Sequence, residues 1–117
     1  MNQVAQQHHA TFEAIRRLDE DGNEFWLARQ LAKVLDYSEY RHFLPVLERA
    51  REACRNSAQA TVDHFEDVLE MVEIGSGARR ELVDVRLSRY ACYLVVQNGD
   101  PSKPVIANGQ TYFALQT

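Results

Sequence analysis

No stretch of this chain is apolar for long enough to cross a bilayer, which excludes a helical membrane span. Its first residues, MNQVAQQHH, have neither a basic n-region nor an apolar h-region, so no signal peptide is expected. That polar start reads as a disordered lead over 1–11, followed by one domain over 12–117. Cysteine is scarce. Cys54 and Cys92 have no ligand-spaced partner and no partner pattern of a disulfide framework. They read as two reduced, buried thiols of a cytoplasmic protein, and no metal or cofactor is expected. Catalytic motifs are missing too: there is no GxSxG and no phosphate loop ending in Lys-Ser/Thr. Ser76 stands between glycines but lacks the spacing of a nucleophile elbow, so a flexible hairpin tip is the better reading. No enzyme is expected.

Cations are absent from one long stretch. The net charge is −4, yet residues 56–78 carry five acidic groups and no Lys or Arg. Residues 29–55 carry six basic and four acidic groups, and residues 79–103 five basic and three acidic. Two basic blocks therefore alternate with acidic ones. The overall charge argues against strong nonspecific binding of nucleic acid, so a basic footprint would have to be local.

The remaining residues pattern into short elements. Phe12 to Leu18 reads as a strand, Asp21-Gly22-Asn23 as a turn, and Glu24 to Trp26 as the return. Leu27, Leu31, Val34 and Leu35 then share one helical face, with Arg29 and Lys33 together on the opposite side. Asp36-Tyr37-Ser38 breaks this helix, and Ser38 is a candidate N-cap for the next. That second helix carries Phe43, Leu44, Val46, Leu47, Ala50 and Cys54 on its apolar side, with a kink expected at Pro45. A short helical turn near Phe65 leads into a strand, the Gly75-Ser76-Gly77 loop and a returning strand, RRELVDVRL. Ser88 caps a buried helix that Gly99 closes. Pro104 opens the last helix, in which Gly109 marks a close-packing point.

Two arrangements could carry function. The helices joined at 36–38 have the length and turn of a helix-turn-helix, with Arg41 and His42 near the start of the second. From these residues alone, a plain helical hairpin with solvated charges is the better reading. Arg79 and Arg80 would tip a hairpin able to grip phosphate, with Arg86 and Arg89 following at the strand-to-helix junction. The alternative is that these arginines pair with the acidic 63–73 segment. That acidic segment could also bind a hard cation, but no loop organises its ligands. Trp26, Tyr40 and Phe65 are candidate exposed anchors for a protein partner, or core residues.

The stretch GNEFWLARQLAKVLDYSEYRHF resembles the opening of the BRO N-terminal domain, a family found in phage antirepressors and viral proteins. LSRYACYLVVQNGDPSKPVIA followed by GQTYFA is similar to a branch of that family, the D-type DNA-damage-inducible proteins of bacteria. The similarity runs from Phe12 to Thr117. It implies an α+β fold in which small β-hairpins pack against a helical bundle, a role in DNA transactions of the SOS response, and no enzymatic activity. It also implies DNA as partner. Arg29, Lys33, Arg41, His42, Arg79, Arg80, Arg86 and Arg89 are then the candidate contacts. A DNA-repair or recombination protein, or a second copy of the chain, is the alternative partner. Members of this branch extend well beyond the point where this chain ends. The wider family often has Gly just before the tyrosine that is Tyr37 in this chain; here it is Asp36, which makes a left-handed helix end there more costly.

Overall fold

The computed structural model describes residues 3–115. Among these residues six helices and four strands form an α+β fold: α1 (Gln3–Ile15), β1 (Arg17–Leu18), β2 (Glu24–Leu27), α2 (Ala28–Val34), α3 (Tyr40–Asn56), α4 (Thr61–His64), β3 (Phe65–Glu73), β4 (Arg79–Leu87), α5 (Arg89–Gln97) and α6 (Pro104–Ala114). The strands make one antiparallel sheet in the order β1-β2-β4-β3. Helices α1, α3, α5 and α6 pack with one another beside it.

The core is aromatic. Phe12, Trp26, Phe43 and Phe113 are fully buried. Trp26 meets Phe113 edge-on at 5.1 Å between ring centroids, and Phe12 stacks on Tyr112 at 5.3 Å. Gly109 lets α6 approach this cluster, since a Cβ there would stand 3.1 Å from both Phe12 and Val96. Both thiols are buried and free. Burial pushes the Cys92 thiol well above its ordinary value, so it stays protonated.

A buried ion pair joins the sheet to the helices. Arg89, at the first turn of α5, is 6% exposed. It donates from Nε and Nη2 to the two carboxylate oxygens of Glu24, at 2.7 and 3.0 Å. Its guanidinium lies 5.0 Å from the Trp26 ring centroid and 5.1 Å from that of Tyr112. Glu24 also accepts from Arg16 at 2.7 Å. The Arg89 hydrogen bonds hold the Glu24 carboxyl below its ordinary value, and the same bonds raise Arg89. Tyr112, whose hydroxyl donates to Glu13, is pushed up to about 12, first by burial and then by that carboxylate.

Several expectations need correction. The supposed disordered lead is helix from Gln3 onward, while Met1 and Asn2 lie outside the described residues. Ala5 and Phe12, two turns apart, are buried, and the Phe12 carbonyl accepts from Trp26 Nε1 at 2.9 Å. The first strand is therefore only Arg17–Leu18. The turn beside it forms as read: Asp19 Oδ1 accepts from the amides of Asp21 and Asn23, and Gly22 takes φ 82°. Helix α3 runs unbroken through Pro45, and its N-cap is Glu39 rather than Ser38. Gly99 does not close α5 with a left-handed turn. Asn98 is the C-cap, and Gly99 instead makes room for Ile106, whose Cδ1 would lie 2.9 Å from an added Cβ. Trp26 and Phe65 are core, not exposed anchors, and Tyr40 is half-buried. Ser88 does cap α5, accepting from the Ala91 amide, and Pro104 does open α6.

Two outcomes are expected. Arg89→Met should destabilise the fold by about 3–5 kcal/mol in urea unfolding, because the Glu24 charge is left without its main partner. Adding Glu24→Gln should recover part of that loss. Stability should also fall as pH rises from 10 to about 12, because the unfolded tyrosine ionises before the buried Tyr112 does. Tyrosinate absorbance at that site, read by difference from Tyr112→Phe, checks it.

Candidate nucleic-acid interface

Strands β3 and β4 pair over nine consecutive residues, from Phe65 opposite Leu87 to Glu73 opposite Arg79. Only the base of this hairpin touches the core. Phe65, Val85 and Leu87 are buried, whereas Leu69, Met71 and Val83 are more than half exposed on the same face. The distal part is therefore an arm that projects from the body. Its tip turns through Gly75, Ser76 and Gly77, at φ 71°, 50° and 76°. Nothing lies within 4 Å of a Cβ added at Gly75 or Gly77, so backbone conformation alone calls for glycine there.

Arg79 and Arg80 follow the tip, and both are exposed. They point to opposite faces of the arm, Arg79 across from Glu73 and Arg80 across from Val72. Neither guanidinium forms a hydrogen bond or ion pair among the described residues. Two carboxylates of the acidic segment are paired elsewhere: Glu66 with Arg86 at 3.7 Å, and Asp67 with Arg51 at 3.0 Å. The pairing of Arg79 and Arg80 with carboxylates of 63–73 is thus not made. The distal arm is still not electropositive, since residues 70–81 hold these two arginines and three glutamates.

Helix α2 starts beside the arm. Its N-cap, Leu27, has no side chain able to cap. Asp84 does this from β4: its Oδ1 accepts from the Arg29 amide at 3.1 Å and from its own strand's Val85 amide at 2.8 Å. Arg29 reaches back, donating from Nε to the Val83 carbonyl at 2.9 Å, and its guanidinium lies 4.2 Å from the Tyr40 ring centroid. Val83 is three residues from Arg80, about 10 Å along the strand. Arg80 shares its face of the arm with Asp84. Lys33, one helical turn from Arg29, is exposed. The start of α2, with Arg29, is therefore held on the face of β4 that carries Arg80.

The other candidates are less available. Arg41 and His42 both lean on Glu39, at 2.9 and 3.6 Å, so one carboxylate offsets the start of α3. Arg86 is engaged by Glu66 and lies 4.7 Å from the Phe25 ring centroid. Arg89 must be corrected outright: it is the buried partner of Glu24 and presents no charge to a ligand. Its position after a strand looked like a junction on the surface, and nothing in the local sequence marks the aromatic cage around it.

An open cleft of ≈ 560 Å³ lies between Arg86, Glu24 and His64. On its wall His64 Nδ1 meets Ser88 Oγ at 2.7 Å, but that hydroxyl already serves as the α5 cap. Among the described residues, no group of three or more His, Cys, Asp or Glu side chains is placed to hold a metal ion. Among the described residues, no helix is long and apolar enough to cross a membrane.

The sequence profile described as BRO family, N-terminal domain, matches residues 14–114. DNA damage-inducible protein D of Escherichia coli (strain K12) is 66% identical over 111 residues, which cover 95% of this chain and 40% of that relative. The chain thus spans less than half the length of that curated relative. No solved structure matches.

Asp84→Ala should destabilise the domain by about 1–2 kcal/mol, the usual cost of a lost helix cap. The Arg29 and Val85 amides should lose protection from hydrogen exchange first, while the β3–β4 ladder beyond Val83 is retained.

Proposed function

This chain belongs to the BRO N-terminal domain family, and we propose that it is a non-enzymatic DNA-binding module of the bacterial DNA-damage (SOS) response, acting in the cytoplasm. The observation that carries this reading is the pair of exposed, unengaged arginines, Arg79 and Arg80, behind a glycine turn at the end of a projecting arm. The arm sets their guanidinium groups against the phosphate backbone, where bidentate, charge-assisted bonds form. Arg29, held on the face of β4 that carries Arg80, and Lys33, one helical turn from it, extend the contact. Arg41 and His42 add to it only weakly while Glu39 holds them. The name of the E. coli relative supports the link to DNA damage. Phosphate contacts fix position rather than sequence, so binding is salt-dependent and modest in affinity. The net charge of −4 and the glutamates of the arm work in the same direction.

A second reading has its own support. Leu69, Met71 and Val83 are exposed together on the arm. Such a surface suits a module that modulates a DNA-repair or recombination protein, or pairs with a second copy.

Binding to labelled duplex and single-stranded DNA over a salt series tests the first reading. The Arg79→Ala/Arg80→Ala variant should bind duplex more weakly, with a log–log salt slope shallower by about 1.8, the value for two lost phosphate contacts. Glu39→Gln should strengthen binding about twofold by releasing Arg41 and His42. A folded domain that binds neither DNA at low salt would remove the DNA reading.

A further inference from the structure

We propose that the outer edge of β3, from Asp67 to Glu73, is a docking site for an extended basic segment of a partner protein, which adds to the sheet as a further strand. The strand order leaves β3 with a neighbour on one side only. Its ladder with β4 shows which backbone groups remain open. The His64 carbonyl accepts from the Ser88 amide at 3.1 Å, and the Ile74 amide donates to the Ala78 carbonyl at 3.0 Å. These bonds bracket the ladder, and both fall on even-numbered residues. Hydrogen-bonded and non-bonded pairs alternate in an antiparallel ladder. Residues 66, 68, 70 and 72 therefore turn their amides and carbonyls toward β4. Asp67, Leu69, Met71 and Glu73 turn theirs outward.

Among the described residues this edge lacks backbone guards, and its only charged side chains are carboxylates. The register runs one-to-one without a bulge, and β3 holds no proline and no lysine, the usual guards of an open strand. Leu69 and Met71, 65% and 55% exposed, offer apolar contact on the face shared with Val83, itself 58% exposed. An added strand would cover them while pairing the open backbone groups.

Charge decides what fits. Glu66, Asp67, Glu70 and Glu73 line the strand, and no cation falls within 56–78. Glu66 and Asp67 have arginine partners, whereas Glu70 and Glu73 form no ion pair among the described residues. A second β3 laid antiparallel would set carboxylate against carboxylate, which is unfavourable across strands. Nucleic acid is repelled for the same reason. A segment that alternates Lys or Arg with β-branched residues sets its cations on the face of Glu66 and Glu70 and its apolar side chains on the face of Leu69 and Met71. This site lies along the edge and not at the tip, so it stands whether or not Arg79 and Arg80 contact DNA.

The probe is a capped peptide of about seven residues alternating lysine and valine, the length that covers the open edge. An otherwise identical glutamate–valine peptide is the charge control. The lysine peptide should bind and slow hydrogen exchange at the amides of Leu69, Met71 and Glu73, leaving the already bonded amides of Val68, Glu70 and Val72 unchanged. The glutamate peptide should not. Glu70→Gln/Glu73→Gln should weaken binding and flatten its salt dependence. Met71→Pro removes an outward amide and no bond to β4, so it should reduce affinity about tenfold while the β3–β4 ladder stays protected. A lysine peptide methylated on alternate backbone nitrogens of one edge tests the same point on unaltered protein, and it should lose binding when the methylated edge faces β3. Binding without new protection at the odd-numbered amides would overturn the proposal. So would self-association of the peptide-free chain that Met71→Pro abolishes, which would give the edge to a second copy.

Discussion

The bidentate pair between Arg89 and Glu24 is the interaction on which the rest of the architecture depends. It crosses 65 residues of sequence and joins β2 to the first turn of α5. Burying a guanidinium costs desolvation energy, and this one recovers it from two short charge-assisted bonds and the faces of Trp26 and Tyr112. Those rings belong to the cluster that Phe12 of α1 and Phe113 of α6 complete. One charged contact therefore orients strand, helix and aromatic core together. The cluster in turn requires the close approach that Gly109 allows.

From that rigid base the molecule divides into a body and an arm. The body is closed by apolar packing, and the arm is held mainly by its own backbone ladder. Asp84 stands at the boundary. It caps α2 from across the sheet, and Arg29 answers by covering the Val83 carbonyl, where β2 no longer pairs with β4. Beyond this point the arm carries two unlike surfaces: arginines behind the tip, and carboxylates with open amides along β3. The two surfaces favour ligands of opposite charge. A domain with net charge −4 can thus present local cations to phosphate while its edge rejects it.

Much of the chain was legible from local rules because those rules act locally. The turn at Gly22, the α2 stripe, the two strands flanking the Gly75-Ser76-Gly77 loop, the Ser88 cap and Pro104 each rest on a few neighbouring residues. The misreadings share a different cause. The polar run before Thr11 looked disordered because its one buried residue, Ala5, does not stand out; α6 supplies the partner surface for the helix that continues through Phe12. Glu39 displaced Ser38 as the cap position, and its carboxylate went to Arg41 and His42 instead. Gly99 looked like a terminator, yet its missing Cβ serves Ile106. Of the candidate site, Arg79 and Arg80 were identifiable from the glycine turn beside them. The exposure of Leu69, Met71 and Val83 was not, because it depends on where the body ends beneath the hairpin.

From β2 onward the sequence by itself determined the element types, and it determined the hairpin with its arginine-bearing tip and the alternating blocks of charge. Periodicity, turn chemistry and composition are carried by residues close in the chain, and they need no knowledge of the fold. Only the tertiary structure decided what each charge does. Arg89 became a buried strut, Arg29 a cover for a strand end, and Arg41 a partner of Glu39, while Arg79 and Arg80 stayed unengaged. Arginines in one sequence are chemically alike. Burial and the nearest carboxylate separate them, and both are set by contacts between residues far apart in the chain.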